Sequence, residues 1–182
     1  MTKVLAIDIG FASAGMAVLG FQDGRAVLHA TACAHTRKLD KKLGIYVAHD
    51  DVRRAQEITR AVIKTYTDNS CKGVVVELPS AGAKGAKANR AMGISTGIIA
   101  ALTEIVRCPV EWITPSESRS AAIGRATAPK GGDVKDLVMK AMTEKYPEIA
   151  GLKVVDKEHI ADALATFEAA RGRQLLRLME GM

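Results

Sequence analysis

The sequence has no hydrophobic run that approaches the ~20 residues a helix needs to cross a bilayer. Its first ten residues have the pattern of a buried strand rather than a charged stretch followed by an apolar export segment. These two absences argue against a membrane protein and favour a cytoplasmic location.

Cysteine is scarce as well. Cys33, Cys71 and Cys108 are odd in number and lack the paired spacing of zinc sites and redox motifs, so we interpret them as reduced and structural. A Walker A sequence is also absent, because neither residues 10–15 nor residues 82–87 have its spacing. A nucleotide-binding loop of that type is therefore excluded.

Length and composition are those of an ordinary globular protein. Of the 182 residues, 48% are hydrophobic and 25% are charged, and single domains usually span about 100 to 200 residues. We therefore predict one domain over residues 1–182. The formal net charge of +6 favours an anionic partner such as nucleic acid, although charge alone does not identify a function.

Short apolar runs and turn signals fill the first part of the chain. Residues 3–9 are almost continuously apolar, as in a central strand covered on both faces. Residues 16–21 and 26–34 follow as two more strands, and the Asp23-Gly24 pair between them is a strong hairpin signal. We predict an antiparallel meander of three strands, followed by a polar connection over residues 35–51.

Helical and strand patterns then alternate. Asp50 and Asp51 are expected to cap the first helix, and Asp133 is expected to cap a later one. The predicted elements are a helix over 52–66, a strand over 73–77, a helix over 90–107, a strand over 110–113, helices over 117–123 and 134–145, and a last helix over 156–179 broken near Gly172. This order predicts an α/β protein of the RNase H-like fold, with a mixed five-stranded sheet and helices on both faces.

Two acidic residues interrupt or end apolar strands. Asp8 lies in the first strand, where a charged carboxylate is costly unless it is paired or binds a metal. Glu77 directly follows three valines. If the first and fourth strands are parallel neighbours, both acids emerge at the sheet edge where α/β proteins place ligands. Two alternatives stay open, a backbone hydrogen-bond acceptor for Asp8 and a solvated strand end for Glu77.

His159 and Asp162 are three residues apart near the start of the last helix, so both project from one face. Alone, either residue could cap the helix or be solvated. With Asp8 and Glu77 they form a set of three carboxylates and an imidazole, which suits Mg²⁺ or Mn²⁺ better than zinc. Two such ions ~4 Å apart can activate a water and stabilise the leaving 3′-oxygen in phosphodiester hydrolysis.

The combination of these segments carries a resemblance to a known family. The segments are Ala6-Ile7-Asp8-Ile9-Gly10 with Gly15, Val75-Val76-Glu77, and His159-Ile160-Ala161-Asp162-Ala163-Leu164-Ala165. Together the sequence resembles a RuvC-type Holliday junction resolvase over nearly its whole length. The resemblance implies that Asp8, Glu77, His159 and Asp162 are the catalytic and metal-binding residues. Many members have Asp where His159 stands, and others have His.

The same resemblance implies an activity and an assembly. It implies a crossover junction endodeoxyribonuclease with two Mg²⁺ ions per active site, for which Mn²⁺ substitutes, that nicks four-way junctions symmetrically in DNA recombination and repair. It also implies a homodimer in which the helix over 90–107 supplies much of the interface. That the apolar face from Ile94 to Ile105 only packs on the sheet is an equally open alternative.

Two groups of basic residues without neighbouring acids could neutralise phosphates and position DNA. The resemblance places Arg119 and Lys130 near the scissile strand, although any one of these side chains could instead be solvated surface. The predicted DNA-binding residues are Lys84, Lys87, Arg90, Arg119, Arg125 and Lys130.

No aromatic residue occurs between Tyr66 and Trp112. In the cellular resolvases that the sequence resembles, an aromatic lies three residues after the strand-end glutamate and is placed to stack on bases at the junction centre, whereas here that position is Ser80. Base stacking contributes about 1–3 kcal/mol per base. Its absence predicts relaxed selectivity among branched DNA substrates.

Three other functions fit parts of the pattern. Asp8-Ile9-Gly10 with Gly15 also resembles the first phosphate loop of the actin-like ATPases, but those proteins need two such lobes and generally far more chain. A non-catalytic junction-binding protein is disfavoured because all four candidate ligands are present. An RNA-processing nuclease of the same fold remains the serious alternative, since the sequence does not distinguish branched DNA from structured RNA.

Overall fold

A computed structural model of the chain describes residues 1–40, 42, 44–79, 85–127 and 132–180, with Glu180 described by its backbone alone. One mixed sheet contains β1 (Lys3–Ile9), β2 (Ser13–Gln22), β3 (Arg25–His35), β4 (Gly73–Glu77) and β5 (Val110–Ile113), in the order β3-β2-β1-β4-β5. The pairs β1/β2 and β2/β3 are antiparallel, and β1/β4 and β4/β5 are parallel. The predicted meander with two parallel strands is confirmed.

Helices cover both faces of this sheet. They are α1 (Val47–Asp68), α2 (Ala86–Val106), α3 (Pro115–Ile123), α4 (Val134–Lys145), α5 (Val154–Ala170) and α6 (Gln174–Glu180). One core forms between the sheet and α1 with α2, and the other between the sheet and α3 to α6. Within the described ranges, no helix is long and apolar enough to cross a membrane.

The central strand β1 is buried on both faces, which explains its continuous apolar sequence. Leu5 and Ile7 point into the core beneath α1 and α2, whereas Val4 and Ala6 point into the core beneath α5. Side chains alternate along a strand. Asp8 therefore projects from the same face of the sheet as Ala6, toward α5.

The start of α1 differs from the prediction. The helix begins at Val47, inside the segment predicted as a connection, and its N-cap is Tyr46, which makes no side-chain cap hydrogen bond. The prediction that Asp50 and Asp51 cap this helix is wrong. Asp50 is buried within the first turn and accepts hydrogen bonds from Arg53 and from the backbone N–H of Leu39. One contact within the helix and one with the preceding connection thus hold an acid that local sequence places at a helix end.

Other local signals are confirmed. Asp23 and Gly24 both have positive φ in the hairpin turn, at 51° and 72°. Asp133 caps α4 by accepting from the backbone N–H of Lys135. The predicted last helix is broken near Gly172, as expected, into α5 and α6.

The apolar face of α2 packs on the sheet. Ile98, Ile99 and Leu102 are buried in the core shared with α1, whereas Ile105 is 62% exposed. Ile98, Ile99 and Leu102 thus pack in the core, as one of the two alternatives for this face expects. The opposite side of α2 exposes small residues, which include Gly93, Thr96, Gly97, Ala100 and Ala101.

Candidate active site

Asp8 and Glu77 lie side by side at the ends of β1 and β4. The two strands are parallel, and their register pairs Asp8 directly with Glu77. Glu77 has the same orientation as Val75, which points into the core beneath α5. Both carboxylates therefore emerge at one sheet edge and on the face that α5 covers, as the sequence predicts.

Helix α5 brings His159 and Asp162 to this edge. The helix lies close to β2 because position 15 is glycine: a Cβ built on Gly15 would lie 2.1 Å from the carbonyl oxygen of His159. The inward face of the same helix is fully or almost fully buried against the sheet, at Ile160, Leu164 and Phe167. The buried stripe fixes the rotation of the helix, which aims the adjacent polar residues at the strand ends.

The four side chains interact directly or through their charges. The Nδ1 atom of His159 lies 3.1 Å from Oδ2 of Asp8, and this hydrogen bond raises the pKa of the imidazole. Burial, together with the charges of Asp8 and Glu77, raises the pKa of Asp162 to about 7. Burial also raises the pKa of Glu77, although Ser118 and Arg119 oppose that effect. The structure thus brings together all four predicted ligand residues.

This donor set fits a divalent cation of the hard class. Three carboxylates offer oxygen ligands, and one imidazole adds a nitrogen that such ions tolerate. The raised pKa of Asp162 reports that mutual repulsion and burial disfavour three negative charges at this edge. A bound cation would reduce the cost of holding these negative charges together, because its positive charge compensates them.

A small cleft, about 350 Å³ when the open space at its mouth is counted, lies beside Glu77 and Asp162. Its polar lining consists of Glu77, Ser118, Arg119, Lys135 and Asp162. Lys135 lies in the first turn of α4 and forms an ion pair with Glu158 on α5. The hydrogen bond from Lys135 to Glu158, with the charges of Asp162 and Asp8, raises the pKa of this ammonium group. Two cations therefore face the carboxylates across the cleft.

A second, wider groove of about 1600 Å³, counting the open space at its mouth, runs past His159. Its basic lining residues are Lys38, Arg54, Lys87, Arg90 and Lys135. Arg54 is held rigidly, since its guanidinium lies 4.0 Å from the ring centroid of Phe11 and donates to Thr36 Oγ1 and the Phe11 carbonyl. Asp51 and Glu158 also line the groove, so its lining keeps a net positive charge, which suits a nucleic-acid backbone.

The predicted DNA-binding residues divide into three groups. Lys87 and Arg90 line the groove, and Arg119 lines the cleft. Arg125 is exposed beyond α3 and lines neither. Lys84 and Lys130 lie outside the described residues, as does Ser80. No acid lies near Arg90 in the sequence, but in the structure Arg90 forms an ion pair with Asp51 of α1, at 2.5 Å.

Sequence reasoning missed several side chains at this site. Lys38 and Arg54 come from a connection and from a helix on the far side of the sheet, and Lys135 follows a helix cap. Lys38 and Arg54 each follow another arginine and Lys135 lies between acids, and none of these local settings marks a phosphate contact. Only the fold brings them to one groove, so no sequence signal distinguishes them from solvated surface.

No protein-family profile matches the chain, and no curated protein matches it by sequence. Among solved structures, the chain is similar to Thermus thermophilus RuvC in complex with a Holliday junction substrate, with 20% identity, a TM-score of 0.67, and coverage of 100% of this chain and 97% of that one. Another T. thermophilus RuvC structure has 20% identity and a TM-score of 0.62 over 94% and 96% of the two chains. The fowlpox virus Holliday junction resolvase has 12% identity and a TM-score of 0.53 over 94% and 98%. The chain therefore has the RuvC-type RNase H-like fold that the sequence predicts.

Proposed function

We propose that this protein is a divalent-metal-dependent endonuclease that nicks branched DNA, chiefly four-way (Holliday) junctions, in DNA recombination and repair. The observation that carries the proposal is the proximity of three carboxylates and an imidazole at one sheet edge, beside a groove with five basic lining residues. Structures with the same fold include one solved in complex with a Holliday junction substrate. Acidic ligands at the head of a basic groove suit cleavage of a phosphodiester backbone.

Asp8, Glu77, Asp162 and His159 are the residues that would hold the metal. We propose Mg²⁺, for which Mn²⁺ can substitute, and two ions in each site. When bound, such ions supply Lewis-acid activation of a water and stabilise the negative charge on the leaving oxygen. The carboxylates serve as ligands, and the hydrogen bond to Asp8 fixes the orientation of the His159 ring.

The basic residues position the strand. Lys38, Lys87 and Arg54 line the groove on its approach to His159, where they neutralise phosphates without reading bases. Lys135 belongs to both the groove and the cleft, and Arg119 lies in the cleft beside Glu77. We infer that these two cations contact the phosphate that is cleaved. Their place opposite the carboxylates aims the scissile bond at the ligand set.

We also propose that the protein acts as a homodimer through the exposed small-residue side of α2. Four-way junctions have two symmetry-related strands, so symmetric nicking requires two active sites in a fixed relation. The buried side of α2 is already used by the core, whereas Gly93, Gly97 and Ala101 leave a flat surface on the other side. Small residues allow two helices to approach closely.

A cleavage assay tests the proposal. Labelled four-way junction, three-way junction, flap, linear duplex and structured RNA are incubated with Mg²⁺ or with chelator. We expect metal-dependent nicking of branched DNA, with three-way and flap substrates also cut and only a weak sequence preference, because no aromatic lies between Tyr66 and Trp112 to stack on junction bases. Preferential cutting of structured RNA would instead identify an RNA-processing nuclease.

Active-site variants separate cleavage from binding. Asp8→Asn and Glu77→Gln should reduce cleavage by more than about 100-fold, since changes outside the direct ligands already cost 10–100-fold in metal sites. Junction binding should stay within a few-fold of wild type, because basic residues hold the DNA. Glu144→Gln, at an exposed position on α4, is the matched control and should cleave normally. Near wild-type cleavage by Asp8→Asn would contradict the site assignment.

A further inference from the structure

A second group of metal-binding side chains lies beside the carboxylate site. Cys33 and His35 come from β3, and Asp156 comes from the first turn of α5. One ligand atom from each, a thiol sulfur, an imidazole nitrogen and a carboxylate oxygen, lies within 4.8 Å of the other two. The ring of His35 also meets that of His159 edge-on, with centroids 6.2 Å apart. The group is therefore adjacent to the proposed nuclease site but shares no residue with it.

The fold holds this group in place. Cys33 and His35 are two apart on a strand, so they share a face, and they pair with Gly15 and Ser13 of β2. Gly15 is the position that admits the backbone of α5, which brings Asp156 over the same face. Three ligands from two elements thus converge without any change in the backbone.

Hydrogen bonds hold the His35 ring between Asp156 and Ser13. An ion would replace the hydrogen bond between Nε2 and Asp156, whereas the contact with Ser13 can persist. Nε2 of His35 lies 2.6 Å from Oδ1 of Asp156, and Nδ1 lies 3.1 Å from Oγ of Ser13. When Nε2 gives its lone pair to a metal, Nδ1 carries the hydrogen and Ser13 can accept it, an arrangement that fixes ligating histidines elsewhere. Without an ion the thiol of Cys33 stays protonated, because burial and the charge of Asp156 raise its pKa to about 12.

We propose that Cys33, His35 and Asp156 form a binding site for a borderline-soft divalent cation of the zinc class, with a fourth position open to solvent. Thiolate and imidazole are the donors that zinc prefers, and three protein ligands with one open position is a common zinc arrangement. Mg²⁺ avoids thiolate, so the ion held here differs from the one that suits the carboxylate site. The proposal stands independently of the nuclease assignment.

The ion would link β3 to the first turn of α5. That turn precedes His159 by three residues, so occupancy should stabilise the docking of the helix that carries two of the four nuclease ligands. Binding to the folded state alone raises the melting temperature. At hundredfold excess over the dissociation constant, we expect a rise of roughly 5–10 °C for a protein of this size.

Cobalt supplies a readout that only a thiolate ligand gives. Co²⁺ is added to the reduced, metal-free full chain in the presence of excess Mg²⁺, and the thiolate-to-cobalt charge-transfer band is followed in the near ultraviolet. We expect one equivalent to saturate the band and Zn²⁺ to displace it. Cobalt at the carboxylate site contributes nothing to this band, because that site has no sulfur ligand.

Variants assign the band to the site that contains Cys33 and His35. Cys33→Ser should abolish it, whereas Cys71→Ser and Cys108→Ser should retain it. His35→Gln, at an exposed position, should weaken cobalt binding at least tenfold and provides a test that does not disturb the core. The zinc-induced rise in melting temperature should be lost in Cys33→Ser and clearly reduced in His35→Gln. A wild-type protein without the band, a band that survives Cys33→Ser, or unchanged affinity in His35→Gln would each overturn the proposal.

Discussion

Replacing Asp162 with asparagine should stabilise the metal-free protein while it abolishes metal binding. Burial and the charges of Asp8 and Glu77 raise the pKa of Asp162 from 3.8 to about 7, so the folded state favours the neutral carboxyl. The stability that this group contributes is present at acidic pH and is lost as pH rises from about 4 through 7. The asparagine side chain would remain neutral at every pH and avoid that loss.

The size of the effect follows from the pKa difference. At 1.36 kcal/mol for each factor of ten, charging Asp162 at pH 8 costs the folded state at most about 4 kcal/mol. Relaxation of the site and entry of water reduce this value, so we expect Asp162→Asn to add about 2 kcal/mol to the free energy of unfolding. That gain corresponds to roughly 4–8 °C in melting temperature. At pH 5 the gain should fall to less than half.

Thermal unfolding in chelator at pH 8 and pH 5 measures the gain. Repeating the pH 8 scan with Mg²⁺ should stabilise wild type and leave Asp162→Asn almost unchanged, because only the former retains the full ligand set. Asp68→Asn, which removes an exposed carboxylate paired with Lys64, is the matched control and should change stability by less than about 1 kcal/mol. An Asp162→Asn protein that is no more stable at pH 8, or equally stabilised at both pH values, would refute this account of the site.

Three further predictions test the surroundings of the site. Gly15→Ala should lower both the melting temperature and the cleavage rate, because the added Cβ would collide with the His159 backbone. Calorimetry measures the first effect and the junction assay the second. Normal values for both would refute the packing argument. Lys38→Ala with Lys87→Ala should make the fall of junction affinity with salt shallower by about two on a logarithmic plot, and an unchanged slope would show that these lysines do not meet phosphate. Gly97→Arg, at a position where an added Cβ has no described atom within 4 Å, should shift the protein from dimer to monomer in sedimentation, whereas Gly97→Ala should stay dimeric. A dimeric Gly97→Arg protein would place the interface elsewhere.

The fold was predictable because its signals are local. Continuous apolar runs mark the strands buried on both faces, and the Asp23-Gly24 turn marks the antiparallel hairpin. Because crossovers between parallel strands are right-handed, this order of strands and helices allows only a few arrangements of the sheet. The pairing of Asp8 with Glu77 follows from that order, because two parallel neighbours end at one edge.

Local sequence patterns do not reveal the contacts that the fold creates between separate segments. Asp50 has the local character of a helix cap, yet it accepts from Arg53 within the helix and from the backbone of Leu39 in the preceding connection, and α1 begins before it at Val47. Lys135 becomes part of the site only because α4 packs against α5. Cys33 and Asp156 are 123 residues apart in sequence, and no spacing rule relates them.

The placement of three acidic or basic residues on α5 explains why two sites lie so close together. Asp156, His159 and Asp162 are each three residues apart, and a helix rises about 4.5 Å over three residues, close to the ~4.8 Å between strands. His159 is hydrogen-bonded to Asp8 on β1. The pKa of Asp162 is raised by burial and by nearby charges, among them that of Glu77 on the next strand, β4. One step back along the helix, Asp156 contacts His35 on β3, and the backbone of α5 at His159 crosses β2 at Gly15, which has no side chain. The close approach of α5 to β2 at Gly15 therefore sets the position of the helix along the strand ends. A displacement of α5 at this point would disturb both the carboxylate site and the group of Cys33, His35 and Asp156.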